Sequence, residues 1–255
     1  MTRPAIAVRR PGTCAGLLLL AAGAAWAWTA LRGSTVGAGT MAGDLPAFLG
    51  TWTIMMTAMM LPATAPIASL YAGTVPVHRT AHMIAFTAGY VLVWAAAGLP
   101  AYALVIGATR VATEYPAAGT GVASAVFAVN GVYQLTGLKD FCLSKCRSPI
   151  ALLLDCASYR GRSRDVRAGA RHGSFCLGCC WSLMLLLIAF GVMNLWAMVA
   201  LSAVITCEKL LPRGRLLARV VGLASFALAI AVIWVPVPTP GLTGGGMAEM
   251  GLRHL

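Results

Sequence analysis

Five cysteines in two short motifs are the residues whose type and spacing most directly suggest chemistry. Cys142 and Cys146 are four positions apart in FCLSKC, and Cys176, Cys179 and Cys180 follow in FCLGCC. On a helix each set falls on one face, because residues three and four apart are neighbours. Thiolates are preferred donors for soft metal ions such as Cu(I). The spacing therefore predicts a thiolate metal site if the two sets meet.

The same motifs fit other thiol chemistry. Neighbouring basic residues, including Lys139 on the face of the first pair, favour the thiolate form. Close thiols can also exchange electrons through a reversible disulfide, and cysteines in buried helices can simply pack. The spacing differs from that of a zinc finger, whose ligands flank a short reversing turn. Metal binding, dithiol redox chemistry and inert packing all stay open.

Four methionines form a second group of soft donors: Met55, Met56, Met59 and Met60, in TWTIMMTAMMLP. At ~100° per residue they span about 140° of a helix surface. Lipid is as apolar as a side chain, so a face rich in polarizable thioethers is expected to point into a helix bundle. Such a face can fill gaps, line an apolar groove or bind Cu(I) weakly without burying a charged ligand.

Other polar residues carry weaker signals. His78 and His82 have the spacing of one helix face, but histidines at an aqueous boundary need no metal. Glu208 is the one acid inside an apolar segment, and we expect it to pair with Lys209 or an arginine. Two further residues are expected to form interhelical hydrogen bonds: Gln134 and Asn194.

Composition places these motifs in a membrane protein. The 255 residues are 59% hydrophobic and only 10% charged, with mean hydropathy +0.82, whereas soluble domains carry about 25% charge. The net charge of +12 does not indicate nucleic acid, because the basic residues lie in short segments between apolar runs. We predict an all-α, polytopic transmembrane bundle in contact with the lipid bilayer.

Seven helices are predicted from apolar runs of roughly 20 residues. They cover residues 14–31, 48–71, 81–107, 120–138, 174–190, 193–210 and 216–235. The fourth helix is expected to continue into the first cysteine motif. The fifth and sixth are separated at 191–194, because a single helix would run well beyond the ~30 Å hydrocarbon core. The first segment also fits a cleaved signal peptide.

Charge sets the predicted orientation, since cytoplasmic loops collect Lys and Arg. A cytoplasmic N-terminus and an outer C-terminus leave only Arg32, Arg110 and Arg253, of 19 basic residues, outside. This is the pattern of a multi-pass membrane protein. Both cysteine motifs then lie at the cytoplasmic surface, where thiols stay reduced and structural disulfides are rare.

The domain organisation follows from these segments. We expect a basic cytoplasmic N-terminus at 1–13, one transmembrane domain at 14–236 and a flexible outer tail at 237–255. A basic, cysteine-containing cytoplasmic loop is predicted at 139–173.

Three ordered motifs resemble a known family. MMTAMMLP, GVYQLTGLKDFCLSKCRSP, and FCLGCCWSLM leading into GVMNLWAMVALSAVITCEKLLP are similar to a bacterial domain-of-unknown-function family described as predicted metal-binding integral membrane proteins. The similarity runs from about residue 45 to 215, with Gly137 where proline is expected. The matching positions to which it points are Met55, Met56, Met59, Met60, Tyr133, Gln134, Lys139, Cys142, Cys146, Cys179, Cys180, Met193, Asn194 and Glu208.

The functional hypothesis is binding of a soft transition metal, with Cu(I) favoured over zinc, for transport or metal handling. The cysteines would bind tightly and the methionines weakly, and a donor or acceptor protein would be a partner. The alternatives are a membrane thiol oxidoreductase and a structural or regulatory subunit. No hydrolase motif or phosphate-binding loop is present in the sequence, so a non-enzymatic role is favoured.

Overall fold

The computed structural model describes residues 12–33, 44–74, 78–148, 150–151, 159, 161 and 163–234, which form eight helices and no strand. The helices are α1 (Gly12–Gly33), α2 (Leu45–Thr74), α3 (Arg79–Glu114), α4 (Pro116–Gln134), α5 (Gly137–Arg147), α6 (Arg164–Phe190), α7 (Leu195–Leu210) and α8 (Gly214–Trp234). The all-helical class is confirmed. The predicted tail 237–255, most of the segment 1–13 and part of the loop 139–173 lie outside the described residues.

Five helices are long and apolar enough to cross a membrane: α1, α2, α3, α6 and α8. A sixth span is possible if α4 and α5 count together, although they bend by 66° at their break. The prediction that the fourth helix continues straight into the first cysteine motif is therefore wrong. The Thr136 side chain caps a new helix by accepting a hydrogen bond from the backbone N–H of Lys139. Seven spans remain a prediction.

The predicted break at 191–194 is present. α6 ends at Phe190, and Gly191 follows with φ 94, a conformation that glycine adopts without a steric cost. Asn194 then caps α7, because its side-chain oxygen accepts from the Ala197 backbone N–H at 3.1 Å. Its side-chain nitrogen donates to the Phe190 carbonyl at 3.1 Å. Asn194 thus links the two helix ends, in line with its predicted hydrogen-bonding role.

α6 begins earlier than the sequence predicted. The stretch read as the end of a basic loop, up to residue 173, is helical from Arg164 onward. Its buried face consists of Asp165, Ala168, Gly169, His172 and Gly173. Tertiary packing of this face overrides the weak helix propensity of the glycines. Cys176 therefore lies about 18 Å along the helix at 1.5 Å per residue, rather than in its first turn.

α3 and α6 cross at unusually short range. A Cβ on Gly89 would lie 2.0 Å from the Val166 carbonyl oxygen. A Cβ on Gly169 would lie 1.9 Å from the Phe86 carbonyl oxygen. Only glycine permits this backbone approach. The crossing brings the polar side chains of α3 against the cysteines of α6.

Candidate metal centre

Three thiols from two helices form the cysteine cluster, defined as Cys146 of α5 with Cys176 and Cys179 of α6. Their sulfur atoms all lie within 4.8 Å of one another. The three residues are at most 2% exposed. Cys180 borders the cluster, with its sulfur 3.2 Å from that of Cys179. The two cysteine motifs, whose meeting the sequence left open, therefore come together through these three residues.

Cys142 is buried beside the cluster but is not one of its three mutually close thiols. It faces the backbone of α6 at Gly178, where an added Cβ would lie 2.8 Å from the Cys142 sulfur. The Tyr133 hydroxyl donates a hydrogen bond to the Gly178 carbonyl oxygen. Tyr133 and Cys142 therefore fix the contact of α4 and α5 with α6 at the turn that carries Cys179.

A buried lysine touches the cluster directly. The Lys209 ammonium lies 2.8 Å from the Cys176 sulfur, and the residue is 7% exposed. In the part of the chain that the structure describes, the Lys209 ammonium forms no other hydrogen bond. A buried ammonium requires a negative partner, so this contact favours a thiolate at Cys176.

Glu208 has a different partner from the one predicted. Its carboxylate oxygen lies 2.6 Å from the Lys139 ammonium, and both side chains are at most 1% exposed. Adjacent helical residues point about 100° apart, which directs Lys209 to the cluster and Glu208 to α5. Gln134 donates to the same carboxylate at 3.4 Å, as an interhelical hydrogen bond. Lys139 also donates to the Cys179 carbonyl at 2.6 Å, so this network holds the Cys179 turn.

The helix α2, which carries the four methionines, is connected to the cluster through two hydroxyl groups. The Tyr90 hydroxyl lies 2.9 Å from the Cys176 sulfur. The Thr64 hydroxyl lies 3.1 Å from the Tyr90 oxygen and 3.0 Å from the Met60 carbonyl oxygen. All four methionines are 0% exposed, so the predicted buried face is confirmed. Their role as ligands remains a prediction.

The two predicted histidines lie away from the cluster. His78 is exposed at the start of α3. His82 Nδ1 lies 2.8 Å from an Asp165 carboxylate oxygen, and the Tyr71 hydroxyl donates to the other oxygen. A carboxylate partner therefore accounts for His82 without a metal. Met193 lies beyond the opposite end of α6, whose last residue, Phe190, follows Cys179 by 11 residues, or about 17 Å of helix length.

Four residues at or near this site were missed from the sequence: Tyr90, Asp165, His172 and Lys209. His172 lies four positions before Cys176 in RHGSFC, a spacing that would have identified it had the helix been extended back. Lys209 was considered only as a partner of Glu208. Tyr90 carries no signal in the sequence, since its contact with α6 depends on the glycine crossing.

Comparison with known proteins identifies the family. A family model described as PpoB2, copper chaperone, matches residues 49–232. No curated protein and no solved structure matches the chain. The matched range contains the cysteine cluster, Lys209 and the four methionines. Since the match covers well over half of its length, the chain belongs to the PpoB2 copper chaperone family.

Proposed function

We propose that this protein is a membrane-embedded copper chaperone that binds Cu(I) through Cys146, Cys176 and Cys179 and passes it on. The observation that carries the proposal is the approach of three buried thiols from two helices to within 4.8 Å. Their motifs are separated by 30 positions in the sequence, so only tertiary packing brings them together. Membership of a family of copper chaperones supports copper as the metal.

The donor set suits a soft monovalent ion. Three sulfurs around one metal, with bonds of about 2.3 Å, lie roughly 4 Å apart. The observed separations of up to 4.8 Å require only small side-chain rotations. Thiolates prefer Cu(I) to harder cations, and the Lys209 ammonium offsets part of the negative charge that they bury. These features support copper over zinc.

The methionine face serves as a second, weaker site in this proposal. Thioethers are neutral, so they bind Cu(I) without the charge attraction that thiolates supply. The Tyr90 and Thr64 hydroxyls connect Cys176 to the backbone turn of Met60 on α2. In this proposal, an ion leaving the cluster on that side passes to the thioethers of α2. A donor or acceptor protein completes the transfer.

The proposed location is the bacterial inner membrane, with the N-terminus in the cytoplasm. Five helices with the length and apolarity of membrane spans support it. So does the apolar outer surface, on which residues such as Leu20, Leu92, Trp196 and Trp234 are 61–85% exposed, because side chains of this kind face lipid at little cost.

Cu(I) titration of the purified protein tests this function. The chain is prepared under anaerobic, reducing conditions and titrated against a competing chelator. We expect one tight Cu(I) per chain, lost when Cys146, Cys176 and Cys179 are replaced with serine. Cys207→Ser is the matched control, because Cys207 is a free thiol outside the cluster. Absence of tight copper in the wild type, or its survival in the triple variant, would refute the proposal.

The weaker site requires its own variant. Replacing all four methionines of the face with leucine preserves apolar volume and removes the thioethers. We expect the tight site to remain and a weaker Cu(I) site to disappear. Met193→Leu is the control, since this residue lies at the far end of α6. A titration curve identical to that of the wild type would show that the methionine face has a packing role and does not bind copper.

A thiol oxidoreductase is the second candidate. The 3.2 Å between the Cys179 and Cys180 sulfurs favours it, since thiols at this range can react with a common oxidant. It predicts a reversible disulfide in the purified protein, measurable by differential alkylation and mass spectrometry, and no need for the methionines. A structural or regulatory subunit predicts that replacing all five thiols leaves function in cells unchanged.

A further inference from the structure

Polar side chains lie in a line along the interface of α2, α3 and α6. At its solvent-exposed end, Asp165 contacts both Tyr71 and His82. Further in, the His172 ring lies between α3 side chains, and then Tyr90 meets Cys176. Solvent reaches this end, where the His82 side chain is 30% exposed and that of Asp165 is 9% exposed. A cation arriving there would encounter a carboxylate first and the thiols last.

His172 occupies the gap in this line. Its ring is 5.9 Å from the centroids of both Phe86 and Tyr90, and the residue is 5% exposed. Among the described residues, none forms a hydrogen bond with the imidazole. The ring contacts with Phe86 and Tyr90 therefore leave the imidazole nitrogens unused by any described residue. A phenyl ring would fill the same space between two aromatic rings without these polar atoms.

The spacing along α6 explains what the imidazole supplies. His172 is seven residues after Asp165 and four before Cys176, which corresponds to about 10 Å and about 6 Å of helix rise. Residues four apart share a face and are neighbours. Without His172, a cation would cross roughly 16 Å of largely apolar interface. A bare charge in such surroundings is strongly disfavoured.

We propose that His172 is a transfer ligand that receives the soft metal ion from the Asp165–His82 end and passes it to Cys176. This inference rests on the proposed copper function and adds the route by which the cluster is loaded. The ion exchanges an imidazole nitrogen donor for a thiolate sulfur donor. It remains Cu(I) throughout, so no electron is transferred. Neutral imidazole binds copper and is replaced by the softer thiolate.

Loading kinetics separate this role from packing. His172→Phe retains an aromatic ring between Phe86 and Tyr90 but removes both nitrogens. We expect the rate constant for Cu(I) loading, measured by stopped flow from a chelator complex, to fall at least tenfold. That corresponds to about 1.4 kcal/mol of activation free energy. The equilibrium Cu(I) affinity should change by less than threefold, because the cysteine cluster is intact.

His172→Met provides the decisive comparison. A thioether is a Cu(I) donor, so this variant should load at close to the wild-type rate. A packing role predicts no such rescue. His78→Asn is the control, because it removes an exposed imidazole outside the line, and asparagine tolerates the left-handed φ of 53 at this position. Equal rates in wild type and His172→Phe, or equally slow Phe and Met variants, would overturn the proposal.

A third measurement covers the case in which these variants do not fold. The His82→Asn protein is mixed with Cu(I), frozen within milliseconds and studied by X-ray absorption at the copper edge. Nitrogen ligation that gives way to sulfur supports the transfer step, and sulfur-only ligation from the earliest time refutes it. If the wild type binds no Cu(I) at equilibrium, the proposed function itself fails, which is a different result from slow or unaltered loading.

Discussion

Replacing Glu208 with glutamine removes one charge of a buried pair and leaves the other. Lys139 is 0% exposed, and its ammonium lies 2.6 Å from the Glu208 carboxylate. Breaking such a pair costs about 3–5 kcal/mol, because an uncompensated charge stays buried. Deprotonating an ordinary lysine at pH 7 costs about 5 kcal/mol, since its pKa is roughly 10.4. Deprotonation of Lys139 therefore sets an upper limit on the loss of stability. We expect Glu208→Gln to lower the free energy of unfolding by about 3–5 kcal/mol.

The measurement is SDS-induced unfolding of the protein in mixed micelles, followed by circular dichroism. The double variant Lys139→Met, Glu208→Gln removes both charges and should recover more than half of the loss, because no unpaired ion remains. Lys139 also donates to the Cys179 carbonyl at 2.6 Å. The single variant should therefore weaken Cu(I) binding as well, through displacement of the Cys179 turn.

Asp140→Asn is the matched control. It makes the same chemical change in a pair whose Arg219 and Asp140 side chains are 63% and 33% exposed and 3.9 Å apart. An exposed pair of this kind contributes about 0–1 kcal/mol. A loss below about 1 kcal/mol for Glu208→Gln, or a double variant no more stable than the single, would refute the account of a buried and mutually dependent pair.

Three further predictions concern the crossing of α3 and α6, the Lys209 ammonium and the membrane orientation. Gly169→Ala places a Cβ 1.9 Å from the Phe86 carbonyl, so we expect α3 and α6 to separate, with a lower melting temperature and loss of tight copper by titration. Lys209→Met removes the ammonium 2.8 Å from a cluster sulfur and should weaken Cu(I) binding at least tenfold, whereas Lys209→Arg should preserve most of it. A cysteine introduced at Asn194 should be labelled from outside the cell, and labelling from the cytoplasm would contradict the proposed orientation.

The sequence predicted those features that depend on local pattern. Helical periodicity placed four thioethers on one face, and burial in the structure agrees. Glycine and asparagine at 191–194 indicated a helix break, which is present. In both cases, neighbouring residues determine the outcome. Whether the two cysteine motifs meet was left open by the sequence, and it is tertiary packing that brings Cys146 to Cys176 and Cys179.

Features that depend on distant packing were not predictable in this way. The segment from Arg164 to residue 173 is charged and glycine-containing, which locally resembles a loop. Its helix is stabilised by burial of one face against α3, where Gly89 and Gly169 allow contact. The predicted partner of Glu208 was wrong for a related reason. Sequence neighbours suggested Lys209, but the direction of each side chain on α7 selects a different helix.

The order of donors along α2, α3 and α6 bears on how copper would move. From the solvent-exposed end, the line offers a carboxylate with an imidazole, then a buried imidazole, then thiolates, with the methionines of α2 beyond them. Thiolates are softer than carboxylate or imidazole donors and, unlike neutral imidazole, carry charge, so Cu(I) would bind most tightly at the cysteine cluster. Beyond the cluster, neutral thioethers bind more weakly. The cluster is therefore the minimum along the route, and onward transfer requires an acceptor that binds Cu(I) more tightly than three thiolates beside Lys209.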